Sequence, residues 1–203
     1  MNQILAWDKQ LFLSINNFAR ATPWAHAFMA AFALWGGLVL IAAILLLTWW
    51  VNRSSKDAVH LSSAALLTGI SSILAFLASH FISKAIYRPR PFVAIPHVLV
   101  VLHHAADSSF PSDHATIAAA IAIGLFWINR KVAIATLVIA VFLSFARVYV
   151  AVHYPTDVIV GFALGSVISV LLLSFLLSPM ERFLTWLNSS WIGKLQLISR
   201  NVP

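Results

Sequence analysis

The chain has 203 residues, of which 61% are hydrophobic and 9% charged, against about 25% charged in an ordinary globular domain. So little polar surface excludes a water-soluble domain, and the length permits one membrane-embedded bundle, not several domains. The net charge of +7 comes without a basic arm or Lys/Arg block, which argues against a nucleic-acid partner, and the lack of cysteine excludes disulfides, thiol nucleophiles and thiolate metal sites.

Taken in chain order, residues 1–20 lack the layout of a secretory signal, because Asp8 and Lys9 interrupt the apolar stretch. Leu5, Trp7, Leu11, Phe12, Ile15 and Phe18 fall on one helical face, with Asp8, Lys9, Asn16 and Arg20 mostly elsewhere. That pattern predicts an interfacial helix, with a short transmembrane span as the other reading. Five apolar stretches then predict spans at 24–51, 58–84, 112–129, 132–152 and 156–177. Trp49 and Trp50 close the first as an aromatic belt, and Gly161 and Gly165, four apart, allow close helix packing in the last. Residues 179–203 mix Phe183, Trp186, Leu187 and Trp191 with Arg182, Lys194 and Arg200 and read as a cytoplasmic amphipathic tail. The fold class is therefore an all-α polytopic membrane bundle of five helices, six if the N-terminal segment crosses, forming one domain over 1–203.

Five spans place Arg53, Lys56, Arg130, Lys131, Arg182, Lys194 and Arg200 on one side. The other side holds Lys9, Arg20, Lys84, Arg88, Arg90 and Arg147, most of which have a reason to be there other than topology. The first side is expected to be cytoplasmic. The loops near 87–110 and 151–155 then face outward together.

Three segments meet on that outer side: Lys84 to Pro91, Phe110-Pro111-Ser112-Asp113-His114, and Ala146-Arg147 followed by His153 and Asp157. Each has a plain structural reading. Arg88 suits lipid headgroups, Ser112 suits a helix N-cap, and Pro155 and Asp157 suit a helix start. Together they gather Lys84, Arg90 and Arg147 with two histidines and two carboxylates, and a membrane arginine defaults to function. Guanidinium forks and free N–H groups at helix starts suit phosphate. Phosphoryl transfer needs charge stabilisation, a nucleophile and a proton for the leaving oxygen. His153 with Asp157 four residues on can supply the nucleophile and its orienting carboxylate, and His114 can supply the acid.

These segments resemble the three motifs of the type 2 phosphatidic acid phosphatase superfamily, Lys-x6-Arg-Pro, Pro-Ser-Gly-His and Ser-Arg-x5-His-x3-Asp. The second appears as Pro111-Ser112-Asp113-His114 and the third as Ala146-Arg147-x5-His153-x3-Asp157. Five residues, not six, separate Lys84 from Arg90; Asp113 replaces Gly and Ala146 replaces Ser. The resemblance implies a phosphohistidine on His153 oriented by Asp157, and His114 protonating the leaving group. It implies a phosphate held by Lys84, Arg90, Ser112, Asp113 and Arg147, with no metal and no cofactor.

The run from His103 to His114 and the Arg-Pro-Arg-Pro-Phe segment are similar to the bacterial undecaprenyl-diphosphate phosphatase (bacitracin-resistance) branch. That similarity implies recycling of the cell-wall carrier lipid, a polyprenyl diphosphate, at the outer, periplasmic face of a bacterial inner membrane. Alternatives are phosphatidylglycerol phosphate, phosphatidate or another lipid phosphate as substrate, a lipid phosphotransferase, and a non-catalytic transporter or scaffold. His26, His60, His80 and His97 read as packing or interfacial residues, and His103-His104 as a loop or substrate contact.

Overall fold

The computed structural model describes residues 2–189, with side chains from Ala6 onward. Helix α1 (Asn2–Ala21) is followed by a tight turn from Pro23 that leads into the first span. This span comprises α2 (His26–Ala31), a wide helical turn at Phe32–Gly36, and α3 (Gly37–Asn52). Helix α4 (Ala58–Ala85) returns, and a loop follows that contains the single turn α5 (Pro91–Ala94). Then come α6 (Asp113–Gly124), α7 (Arg130–Tyr149) and α8 (Pro155–Ser189). Among the described residues there is no strand, only a bridge between Pro89 and Ser108.

Local chemistry sets these limits. Asn129 caps α7, its side-chain oxygen accepting from the N–H groups of Lys131 (3.0 Å) and Val132 (3.2 Å). Pro155 opens α8, where its missing N–H costs nothing, and Asp157 sits in the first turn against the positive end of the helix dipole.

Four helical stretches are long and apolar enough to cross a bilayer: Pro23–Asn52, Ala58–Ala85, Arg130–Tyr149 and Pro155–Ser189. The expected span at 112–129 is shorter. It is the 12-residue α6 plus the three-residue turn Leu125–Trp127, roughly 22 Å of helix against about 30 Å of hydrocarbon. It sits in the centre of the bundle, packed on α4 and α8. The expected break near residue 177 is absent: α8 runs unbroken past Pro179 to Ser189. The tail prediction for 190–203 lies outside the described residues.

Small side chains bring the three central helices together. The buried side of α6 is Ala115, Thr116, Ala118, Ala119, Ala120 and Ala122. Gly161 lies where an added Cβ would come within 2.6 Å of the Ser112 carbonyl, and Gly165 is tighter still against the Thr116 carbonyl. Without a hydrophobic drive between helices in lipid, such close backbone packing is what holds them together. At the far end His60 pairs with Glu181 at 2.6 Å, which puts the start of α4 beside the end of α8.

Helix α1 turns a different face inward from the expected one. Asp8, Phe12, Asn16 and Ala19 are buried, while Trp7 and Phe18 are exposed. Asn16 exchanges two hydrogen bonds with the backbone of Leu99 (2.8 and 2.9 Å), so a mixed polar stripe docks α1 on the loop before α6.

Candidate active site

The near ends of α4, α6 and α7, the loop before α6 and the turn before α8 surround a cavity of about 400 Å³. Its walls include Lys84, Arg90, Asp113, His114, Arg147 and His153, six of the eight residues singled out from sequence. Ser112 is fully buried behind that wall. Its hydroxyl makes a long capping contact to the Ala115 N–H (3.5 Å), and its own N–H donates to the Asp157 carbonyl (3.1 Å). Lys84 lines the cavity despite its shifted spacing, because α4 ends at Ala85 and the chain is extended from Ile86.

His153 follows the turn after α7, where Ala151 adopts a left-handed conformation (φ 71°). The ring is 3% exposed. Its Nδ1 donates to the Ser109 carbonyl at 2.7 Å, which leaves the lone pair on Nε2. Two guanidinium groups converge there: Arg147 Nη2 at 3.2 Å and Arg90 Nη1 at 3.4 Å. Burial first, and then the charges of Arg147 and Arg90, hold His153 well below its ordinary pKa, so the imidazole is neutral.

Asp157 stands 3.8 Å from His153 Nδ1, beyond hydrogen-bond range. Its oxygens accept instead from Arg88 Nη1 (2.6 Å) and the Tyr154 N–H (2.8 Å). The carboxylate therefore fixes the turn that carries His153 and lends it negative charge from behind, while Ser109 sets the tautomer.

Arg88, whose plain reading was lipid contact, points inward. It bridges Asp157 and Asp8 and lies over the Tyr154 ring at 3.9 Å. Although burial works against its charge, Asp157 and Asp8 raise its pKa above the ordinary arginine value. Asp8 also accepts from the N–H (2.9 Å) and hydroxyl (2.7 Å) of Thr156. Sequence reasoning missed Asp8. The signal available was the spacing 8, 12, 16, 19, a stripe too polar to register as a buried face.

Around the mouth, Arg90 Nε donates to Asp107 at 2.8 Å, and His104 lies 3.6 Å from the same carboxylate. Burial would raise the Asp107 pKa, but Arg90 outweighs it and holds the carboxyl below its usual range. Of the adjacent pair His103-His104, only His104 lines the cavity. His80 lines it too, and so is not merely a packing residue. Asp113 accepts from the Ser79 hydroxyl of α4. His114 donates from Nε2 to the Leu34 carbonyl at 3.0 Å, and Arg147 Nη1 donates to the Ala33 carbonyl at 3.0 Å.

Known proteins resemble this chain over most of its length. Residues 61–180 match the PAP2 superfamily. The chain is 33% identical over 159 residues to undecaprenyl-diphosphatase BcrC of Bacillus subtilis, covering 77% of this chain and 80% of that protein. It is 29% identical over 163 residues to the putative undecaprenyl-diphosphatase YbjG of Escherichia coli, covering 78% and 79%. Among solved structures, Aquifex aeolicus LpxE superposes with a TM-score of 0.60 at 26% identity, over 82% of this chain and 94% of that one. The PAP2-type phosphatidylglycerolphosphate phosphatase of Bacillus subtilis superposes with 0.61 at 28% identity, over 86% and 87%. The chain belongs to the PAP2 superfamily, as a multi-pass membrane lipid phosphatase on the branch that includes the undecaprenyl-diphosphatases.

Proposed function

We propose that this enzyme hydrolyses undecaprenyl diphosphate to the monophosphate and inorganic phosphate, in two steps through a phosphohistidine on His153. The observation that carries the reading is the convergence of Arg90 and Arg147 on a neutral His153 Nε2. In the first step Nε2 attacks the terminal phosphorus, and the bond to the bridging oxygen breaks to release the lipid monophosphate. Arg90 and Arg147 neutralise the phosphoryl oxygens, joined by Lys84 from the cavity wall. The positive charge that develops on the ring is stabilised through Nδ1–H by the Ser109 carbonyl and by Asp157. His114 supplies a proton to the leaving oxygen, then takes one from the water that attacks phosphorus and breaks the P–N bond. Asp113, fixed by Ser79, borders the same space and places a carboxylate opposite Arg147.

The relatives named for undecaprenyl diphosphate support this substrate. Phosphatidylglycerophosphatase B of Bacillus subtilis, 29% identical over 167 residues, keeps a second lipid phosphate in view. The cavity faces the periplasmic side of a bacterial inner membrane in this reading, supported by the basic residues gathered at the opposite end.

The test is phosphate release from undecaprenyl diphosphate by purified protein in detergent with excess EDTA. The expected result is turnover that His153→Ala abolishes, by at least about 10³-fold, and that Lys84→Ala impairs less. Equal, mild losses in both variants would remove His153 from the nucleophile's role. A faster rate on phosphatidylglycerol phosphate would reassign the substrate and leave the mechanism intact.

A further inference from the structure

The first span contains a defect that the chemistry above does not explain. At Phe32–Gly36 the helix widens, and the Gly37 N–H reaches back five residues to the Phe32 carbonyl instead of four. Returning from a five-residue to a four-residue step leaves one carbonyl of that turn without an N–H from its own helix. In a bilayer such a group must find another partner. The defect lies roughly 15 Å along the span from Pro23, and the next two carbonyls after Phe32 both have partners in the site. The Ala33 carbonyl accepts from Arg147 Nη1 and the Leu34 carbonyl from His114 Nε2, each at 3.0 Å.

Gly37 shows that the defect is pressed against the helix that carries Arg147. A Cβ on Gly37 would come within 2.7 Å of Leu143 Cδ1 on α7, and one on Gly36 would come within 3.2 Å of the Ala31 carbonyl. Gly37 therefore lets the end of the widened turn approach α7 one turn from Arg147, while Gly36 leaves room for the turn's own backbone.

We propose that the widened turn at Phe32–Gly36 is a positioning element of the active site, its Ala33 and Leu34 carbonyls orienting Arg147 and His114. Arg147 is 1% exposed, so one end of its guanidinium group needs an acceptor while the other end faces His153. For His114, a carbonyl on Nε2–H reserves Nδ1 as the atom that carries the mobile proton. The proposal rests on the reading of His114 as general acid and Arg147 as phosphate ligand, and its test separates failure of the latch from failure of that reading.

The test replaces single backbone amides with esters in the full-length protein, which weakens one carbonyl as an acceptor and keeps every side chain. The α-hydroxy analogue of Trp35 weakens the Leu34 carbonyl, and that of Leu34 weakens the Ala33 carbonyl. The analogue of Val39, whose side chain is exposed on the same span, controls for the lost N–H. With the Trp35 ester, turnover of an alkyl phosphate is expected to fall about tenfold, and that of 4-nitrophenyl phosphate, whose leaving group departs without a proton, less than about twofold. With the Leu34 ester, KM is expected to rise about tenfold for both substrates, while the Val39 ester stays within about twofold of the wild type.

Equal losses from the Trp35 and Val39 esters, or wild-type rates in both site esters, would overturn the latch. If His114→Ala slows both substrates alike, the general-acid reading fails, and the Leu34 half of the proposal with it. The Ala33 half is then still tested by the Leu34 ester. A readout without turnover is the ¹⁵N spectrum of the His114 ring, assigned with His114→Gln. A fixed Nε2–H form that becomes a tautomer mixture in the Trp35 ester supports the latch, and an unchanged spectrum overturns it.

Discussion

Residue by residue, the site is built on buried charges that compensate one another. Among the described residues Arg88 is the only guanidinium group paired with Asp8 and Asp157, and both carboxylates are fully buried. Removing it leaves them buried without a counter-charge, so Arg88→Met is expected to cost about 3–5 kcal/mol, read by thermal or denaturant unfolding in detergent. A loss under about 1 kcal/mol, as for a surface pair, would show that the network contributes little. His153 makes a prediction about pH. Its folded-state pKa lies well below the ordinary value of about 6.5, so below that pH the unfolded chain accepts a proton that the folded chain refuses. The stability linked to this histidine is present above pH ~6.5 and is lost as the pH falls. The Tm of the wild type should therefore drop between about pH 7 and 5 by more than that of His153→Gln. Parallel curves would mean that His153 titrates normally. Residues of the candidate site were legible in the sequence where a motif marked them, as at His114, Arg147 and His153, which line one cavity. Asp8 carried no mark, because its partners are 80 and 148 positions away in the chain.

At the scale of elements, small residues decide how closely the helices approach and hence where the site's walls stand. A Cβ added to Gly161 of α8 would stand 2.6 Å from the Ser112 carbonyl and 2.8 Å from the Thr116 hydroxyl, and the Ser112 N–H in turn donates to the Asp157 carbonyl. A methyl group there has backbone in its way, so Gly161→Ala is expected to destabilise by about 1–3 kcal/mol and to lower turnover by moving α6 away from α8. Gly69→Ala on α4 has nothing within 4 Å of its added Cβ and should be neutral or stabilising by up to about 1 kcal/mol. Thermal unfolding of the two variants side by side decides it, and similar behaviour would mean that the α6–α8 contact is not tight. The Gly161/Gly165 spacing made this interface legible in advance. The widened turn at Phe32–Gly36 was not legible, since Trp35-Gly36-Gly37 reads from sequence as an ordinary stretch of apolar helix.

For the whole molecule, the bundle wears an apolar coat and keeps its charged groups at two ends. Trp35, Val39, Leu46, Leu47, Val138, Ile159 and Phe175 are exposed on the long helices, as lipid-facing residues are. The cavity opens at the end where α4 and α7 finish, and Arg53, Lys56, Arg130 and Lys131 mark the other end. In this cysteine-free chain, Ala106→Cys places one thiol in an exposed part of the loop before α6. An impermeant maleimide should label it from outside intact cells. Labelling that requires broken cells would reverse the proposed orientation and place the phosphatase site at the cytoplasmic face.

An apolar helical bundle, three separated motifs meeting on one side, and a histidine set among basic residues in the candidate site were all readable from the chain alone. Those properties follow from composition, helix length and residue type, which are local. The three-dimensional structure supplies what spacing could not: the Ser109 carbonyl, not Asp157, accepts the hydrogen bond from His153 Nδ1, Arg88 is an internal strut, and Ser112 stands behind the wall. It also decided that α6 is a buried helix shorter than a span. The reason is common to all four. Each depends on a backbone carbonyl, a buried counter-charge or a neighbouring helix supplied from elsewhere in the chain, and neither spacing nor composition records where such a partner will fall.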